Sequence, residues 1–175
     1  MELTSALSLI REIPDFPIPG ILFKDITPLL ADAQALRVTT DALIGDSDSY
    51  THIVGIEARG FILASAMALR SGKGFIPLRK AGKLPHRTIS RSYGLEYGSD
   101  VLEAHVDAAA PGDSLLIVDD VLATGGTLLA AIEIARELGA DVVEIVVLLE
   151  IEALGGRARI LEKFPEISIR ALLVD

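Results

Sequence analysis

The stretch Leu115-Leu116-Ile117-Val118-Asp119-Asp120-Val121-Leu122-Ala123-Thr124-Gly125-Gly126-Thr127 decides the fold. Its apolar lead, Ser114 to Val118, is short and free of polar interruption from Leu115 on, as a strand buried in a parallel sheet is. In open α/β sheets ligands gather beyond the carboxyl ends of the strands, which is where Asp119 and Asp120 fall. Ionised carboxylates only accept hydrogen bonds, so they suit the vicinal hydroxyls of a sugar and not phosphate oxygens. The next segment suits the phosphate. Ala123-Thr124-Gly125-Gly126-Thr127 lets the main chain approach a ligand, aims N–H groups from a helix N-terminus and adds two threonine hydroxyls. It is neither a Gly-Lys-Ser/Thr phosphate loop nor a G-x-G-x-x-G dinucleotide loop. Neighbouring strand residues point to opposite faces, so both acids can meet one sugar only if the chain already turns at them.

Outward from that run the chain alternates strand and helix. Strand His52 to Ile56, helix Phe61 to Arg70 closed by Gly72, strand Gly74 to Leu78, strand Ser114 to Val118, helix Thr127 to Leu138 closed by Gly139 and strand Val142 to Leu149 predict a central parallel sheet flanked by helices. Residues 88–106 alternate apolar and polar around Tyr97-Gly98-Ser99-Asp100, which predicts an antiparallel excursion outside that core with its turn there. Ile167 to Val174 reads as a last strand. Ahead of the core, the spacing of Leu3, Leu7 and Ile10 predicts a helix over 3–12. Pro14, Pro17, Pro19 and Gly20 predict a fixed loop from Asp15 to Gly20, and Asp32 caps a helix that runs to about Ile44 before Gly45. No linker or repeat divides the 175 residues, so they read as one domain with a substantial core.

Composition removes several functions. There is no cysteine, hence no disulfide, thiolate metal site or cysteine nucleophile. His52, His86 and His105 are scattered without ligand spacing. No apolar run reaches the ~20 residues of a membrane span, and Met1-Glu2-Leu3-Thr4 does not begin a signal peptide, so a cytoplasmic protein is expected. A net charge of −9 argues against nucleic acid as partner. Yet Arg79, Lys80, Lys83, Arg87 and Arg91 lie close together with no acid among them, as a small, highly anionic ligand would require. A second anion site follows strand His52 to Ile56, where Glu57-Ala58-Arg59-Gly60 opens a helix and offers an arginine fork.

The hydrophobic strand, acid pair and Thr-Gly-Gly-Thr loop resemble the 5-phosphoribosyl 1-diphosphate signature of the type I phosphoribosyltransferases. Phe16 to Pro28, Arg79 to Pro85 and Ser92 to Gly98 are similar to segments of the adenine phosphoribosyltransferases within that family, and the similarity continues through Leu149-Glu150 and Leu154-Gly155-Gly156-Arg157. The resemblance implies the type I phosphoribosyltransferase fold with a small hood (residues 1–30) and a flexible antiparallel lid (residues 80–106). It implies a purine salvage reaction that turns adenine and 5-phosphoribosyl 1-diphosphate into AMP and pyrophosphate with Mg²⁺. Asp119 and Asp120 would then contact the ribose, and Ala123, Thr124, Gly125, Gly126 and Thr127 the 5′-phosphate. Glu57, Ala58, Arg59, Lys80 and Lys83 would meet pyrophosphate, with a cis peptide at Glu57-Ala58, and Arg79 would reach a partner subunit's site in a homodimer. Leu22, Phe23 and Lys24 would hold adenine, Phe23 by its ring and its neighbours by main chain. Glu96, on the lid, would accept a hydrogen bond or proton from the adenine imidazole as N9 attacks, with Arg59 as the other catalytic residue and Tyr97 covering the sugar. Mg²⁺ would be held mainly through substrate oxygens and water, without a dedicated protein ligand set. The other readings are a xanthine or hypoxanthine phosphoribosyltransferase, and a non-catalytic sensor of 5-phosphoribosyl 1-diphosphate, which fold alone does not exclude.

Overall fold

A computed structural model describing residues 1–95 and 98–175 places the decisive strand in the interior of a seven-stranded sheet, next to its central strand. The chain forms two compact units, Met1–Gly45 and Asp46–Asp175. The larger holds β3 (His52–Ile56), α4 (Arg59–Ser71), β4 (Gly74–Lys80), β5 (Thr88–Leu95), β6 (Gly98–His105), β7 (Ser114–Leu122), α5 (Gly126–Glu137), β8 (Asp141–Glu150), α6 (Gly156–Lys163) and β9 (Ser168–Val174). The strand order is β5-β6-β4-β3-β7-β8-β9. β4, β3, β7, β8 and β9 are parallel, and the β5–β6 hairpin joins antiparallel at β4. From β3 the chain steps outward to β4, and from β7 outward the other way to β8 and β9. The topology therefore reverses between β3 and β7, the position where open α/β sheets leave a crevice for ligands.

Alternation along β3 sorts the two faces. Val54 and Ile56 join Ile76, Leu78, Leu115, Ile117, Ile145 and Val147 in a core closed by Leu128, Ala131, Ile134 and Ala135 of α5 and Ile160 and Phe164 of α6. Gly55 faces the other way, and a Cβ there would stand 2.8 Å from Ala64 Cβ, so α4 covers that face.

The hairpin departs from the sequence expectation in two ways. It extends the central sheet instead of standing outside it, because Leu102 and Ala104 alternate inward and are fully buried in the core. Gly98, Ser99 and Asp100, expected in a turn, pair with Leu95, Gly94 and Tyr93 as strand residues. β7 also differs: it runs on through both acids to Leu122, since β8 supplies ladder partners as far as Glu150. The end of the strand is set by its neighbour's hydrogen-bonding edge, not by where the apolar run stops.

The smaller unit holds α1 (Leu3–Leu7), β1 (Arg11–Pro14), β2 (Leu22–Asp25), α2 (Thr27–Ala31) and α3 (Ala33–Ile44). The helix expected over 3–12 stops at Leu7, because Arg11 to Pro14 pair antiparallel with Leu22 to Asp25 and an Arg11–Asp25 ion pair of 2.6 Å closes that ladder. Pro14 ends β1, where a strand tolerates its missing donor. Asp32 caps α3 as expected, accepting from the Gln34 and Ala35 amides at 2.9 and 2.8 Å. No helix among the described residues is long and apolar enough to cross a membrane.

Candidate active site

The carboxyl ends of β3, β4 and β7 bring together residues 22 to 61 positions apart in sequence, from Glu57–Arg79 to Arg59–Asp120. Asp119 is half-buried and Asp120 is 6 % exposed at the end region of β7. The Asp120 carboxylate lies 2.8 Å from the Arg59 guanidinium, which opens α4. Asp119 accepts from the Asp120 amide at 2.9 Å. Burial first, and then the Asp120 charge, push the Asp119 carboxyl well above the usual carboxylate range. β7 runs through both acids without a turn, yet both carboxylates reach the start of α4, Asp119 Oδ1 at Gly60 and Asp120 at Arg59, so the two meet on one side without the turn that the sequence called for.

Close backbone contact sets the Arg59 position. A Cβ on Gly60 would stand 2.9 Å from the Val118 carbonyl oxygen and 3.0 Å from Asp119 Oδ1, so α4 begins directly against the acid pair. The Glu57–Ala58 peptide just before it is cis, as the resemblance implied.

Glu57 gathers the end of β4. One carboxylate oxygen accepts from the Lys80 amide at 2.9 Å and lies 3.5 Å from Arg79 Nε, while the other accepts from Lys83 Nζ. Burial pushes the Glu57 carboxyl up, but the Lys83 and Lys80 hydrogen bonds and the Lys83 and Arg79 charges outweigh it and hold it below its ordinary value. Arg79 also donates to the Lys83 carbonyl at 3.1 Å. Lys80 Nζ lies 3.0 Å from Asp100 on β6, and that hydrogen bond holds the ammonium's pKa above its usual range. The cationic segment read from the sequence is thus threaded with carboxylates brought in from β3 and β6.

After β7 the chain turns through Ala123 and Thr124, and Gly125 at φ 79° starts α5. Residues 121–128 line a pocket of about 60 Å³. The first amides of a helix have no carbonyl to bond within it, so those of Gly126, Thr127 and Leu128 are available to an anion. No Lys, Arg, Asp or Glu lies between Val121 and Leu128.

A phosphoribosyl transferase domain matches residues 26–167. Adenine phosphoribosyltransferase of Streptomyces clavuligerus is 54 % identical over 156 residues, 88 % of each chain. Among solved structures, adenine phosphoribosyltransferase of Thermoanaerobacter pseudethanolicus superposes with a TM-score of 0.90 at 43 % identity, covering 99 % of both chains. The APRTase of Giardia lamblia complexed with 9-deazaadenine gives 0.92 at 40 % identity, over 100 % of this chain and 98 % of that one. This chain belongs to the adenine phosphoribosyltransferase family.

The segment that resembles the family's adenine side lies in the smaller unit. Phe23 sits on β2 and meets Phe16 edge to face, ring centroids 5.1 Å apart, beside a pocket of about 190 Å³ lined by Ile13, Phe16, Phe23 and Asp25. Leu22 is exposed, whereas the Lys24 side chain is only 8 % exposed and its ammonium pairs with Glu12 at 2.6 Å. Glu96 and Tyr97 lie outside the described residues.

Sequence reading missed some of what surrounds the family's loops. Tyr93 on β5 lies against the start of α5, 3.8 Å from where a Cβ on Gly126 would stand, and its hydroxyl is 3.3 Å from Asp100. A Tyr in an alternating strand gives no sign of such a place. His86 and His105 meet edge to face at 5.8 Å, and no three potential ligands converge on a metal position among the described residues.

Proposed function

We propose that this chain catalyses transfer of the 5-phosphoribosyl group from 5-phosphoribosyl 1-diphosphate to adenine, yielding AMP and pyrophosphate in purine salvage. One observation carries the assignment of roles: the Arg59–Asp120 contact of 2.8 Å sets a cation fit for a diphosphate beside carboxylates fit for ribose hydroxyls, at the reversal point of the sheet. Asp119 and Asp120 accept from the ribose, and the Ala123–Thr127 amides and hydroxyls hold the 5′-phosphate. Arg59, Lys80 and Lys83 take the pyrophosphate with the Glu57–Ala58 loop. Phe23 stacks on adenine while Leu22 and Lys24 read it through main chain, the Lys24 ammonium being engaged with Glu12. Arg79 serves the partner's site in a homodimer, and the protein works in the cytoplasm.

The reaction needs no covalent nucleophile. Holding base and donor in line lets the C1–O bond loosen as purine N9 attacks, and fixed cations offset the charge that grows on the leaving pyrophosphate. Arg59, Lys80 and Lys83 meet that charge. Glu96 accepts a hydrogen bond or proton from the imidazole ring as N9 attacks, and Tyr97 covers the sugar so that water is kept from C1. Mg²⁺ would be held mainly through substrate oxygens and water, and the residues fit that arrangement: Asp120 is paired with Arg59 and the acid pair serves the ribose, so the ion would come in with the substrate and not on a dedicated protein ligand set. When bound, it neutralises part of the diphosphate charge.

AMP formation measured beside turnover of hypoxanthine, guanine and xanthine tests this reading. Adenine is expected to be the substrate used; faster turnover of a 6-oxopurine, or donor binding without turnover of any base, would overturn it.

A further inference from the structure

A loop made of Ala, Thr, Gly and Gly has no large side chain to lock its own shape, so the shape must be imposed from outside. The structure shows what touches it. Gly125 in the loop and Gly156 at the start of α6 meet back to back: a Cβ on Gly125 would stand 2.8 Å from the Gly156 carbonyl oxygen. A Cβ on Gly156 would stand 2.2 Å from the Ala123 carbonyl oxygen and 2.8 Å from the Gly125 nitrogen. Both contacts are to main chain, which cannot swing aside as a side chain can. Arg159 Nη1 adds a hydrogen bond to the Thr124 carbonyl at 3.3 Å.

The start of α6 is itself braced. Glu150, the last residue of β8, is 4 % exposed, and both its oxygens accept from the Arg157 Nε at 2.9 and 3.0 Å. Arg157 Nη2 also donates to Glu150, and Nη1 donates to the Ile169 carbonyl of β9 at 2.7 Å. One guanidinium therefore ties α6 to two neighbouring strands, one residue away from the glycine that supports the loop. A carboxylate kept this dry is costly unless its pairing is geometrically well made, as a bidentate fork is.

We infer that the start of α6 is the platform that shapes the Ala123–Thr127 loop, which makes Gly156, Glu150 and Arg157 positioning residues for the 5′-phosphate of the donor. The inference rests on the reading of that loop as the 5′-phosphate holder. None of the three residues touches the reacting atoms; each acts through the loop. A Cβ at position 156 must displace Ala123 or Gly125 by most of an ångström, and a misplacement of about 1 Å in a positioning group costs up to about a hundredfold.

The test uses the full chain, with ribose 5-phosphate and Mg²⁺-pyrophosphate as separate calorimetric probes and steady-state KM values for both substrates. Gly156→Ala is expected to weaken ribose 5-phosphate and raise the donor KM at least tenfold, with pyrophosphate affinity and the adenine KM within twofold of wild type. Arg157→Lys keeps the charge and loses the fork, and is expected to weaken ribose 5-phosphate about fivefold with the same selectivity. It guards against a Gly156→Ala protein that fails to fold. Equal losses for both probes, or no loss in either variant, would overturn the inference while leaving the loop assignment intact. Absence of ribose 5-phosphate binding by the wild-type protein would instead overturn the loop assignment on which it depends.

Discussion

The loop after β7 and the ends of β3 and β4 are both suited to phosphate, but they are built on opposite plans. The first has no charged side chain from Val121 to Leu128 and takes its shape from glycine packing. The second is a set of cations already matched to carboxylates: Arg59 to Asp120, Lys80 to Asp100, Lys83 and Arg79 to Glu57. A preformed cradle of amides needs no rearrangement to receive a monoester phosphate. A diphosphate arriving at the second region must compete with bound carboxylates, so its binding is an exchange of partners, which suits a group that has to leave again after reaction. The lesson is that net charge in a segment, which reads as cationic from Arg79 to Arg91, does not describe the field a ligand meets there.

The contrast breaks most sharply at Arg59. Arg59→Ala removes the cation proposed to meet the leaving pyrophosphate and leaves the buried Asp120 without that ion pair, so kcat/KM for the donor should fall about 10²–10³-fold, or ~2.7–4 kcal/mol in steady-state kinetics. A loss under tenfold would move the diphosphate elsewhere. On the neutral side the stake per group is smaller. Thr127→Val deletes one hydroxyl and should weaken AMP about tenfold by titration, ~1.4 kcal/mol, while its salt dependence stays that of wild type.

Glu57→Gln sharpens the comparison, because it keeps the shape of the β4 end but releases Arg79 and Lys83. The donor KM should fall about threefold, ~0.7 kcal/mol, because the diphosphate no longer competes with that carboxylate for Arg79 and Lys83. Its pH signature has a definite sign. The Glu57 carboxyl is held below its ordinary 4.5 in the fold, so its stabilisation is present above that value and is lost as pH falls through the lower folded value. Thermal unfolding should therefore separate wild type from Glu57→Gln at pH 6 and bring them together toward pH 3. The smallest effect expected is a gain. Asp119 is raised, so its ionisation costs stability at neutral pH and nothing below its unfolded value near 3.8. Asp119→Asn should raise the Tm of the ligand-free protein by about 2–4 °C at pH 7, the shift that ~1 kcal/mol makes in a chain of this size, and the gain should vanish toward pH 4. The same variant should bind the donor poorly, which would mark Asp119 as a residue kept for its ligand and not for the fold.

Some elements were legible because their physics is local. The apolar run before Asp119, the small-residue loop, the Asp32 cap and the alternation of residues 88–106 each carry their cause within a few residues. The helix expected over 3–12 failed for the complementary reason: periodicity at Leu3, Leu7 and Ile10 was local, but the pairing of Arg11 to Pro14 with Leu22 to Asp25 was not. Periodicity proposes a conformation, and a strand partner elsewhere in the chain can override it.

The sequence by itself determined the α/β class, the two anion-suited loops and the resemblance that names the family, since each is written in residue type and spacing along one short stretch. Tertiary structure alone decided that Arg59 lies beside Asp120, that Glu57 and Asp100 hold the cations of β4, and that Gly156 supports Gly125. Those contacts join residues between 20 and 61 positions apart, and a parallel sheet whose strand order reverses between β3 and β7 brings their strand ends to one edge. Chemistry of a side chain is fixed by its type; what it is free to bind is fixed by which distant neighbour already holds it.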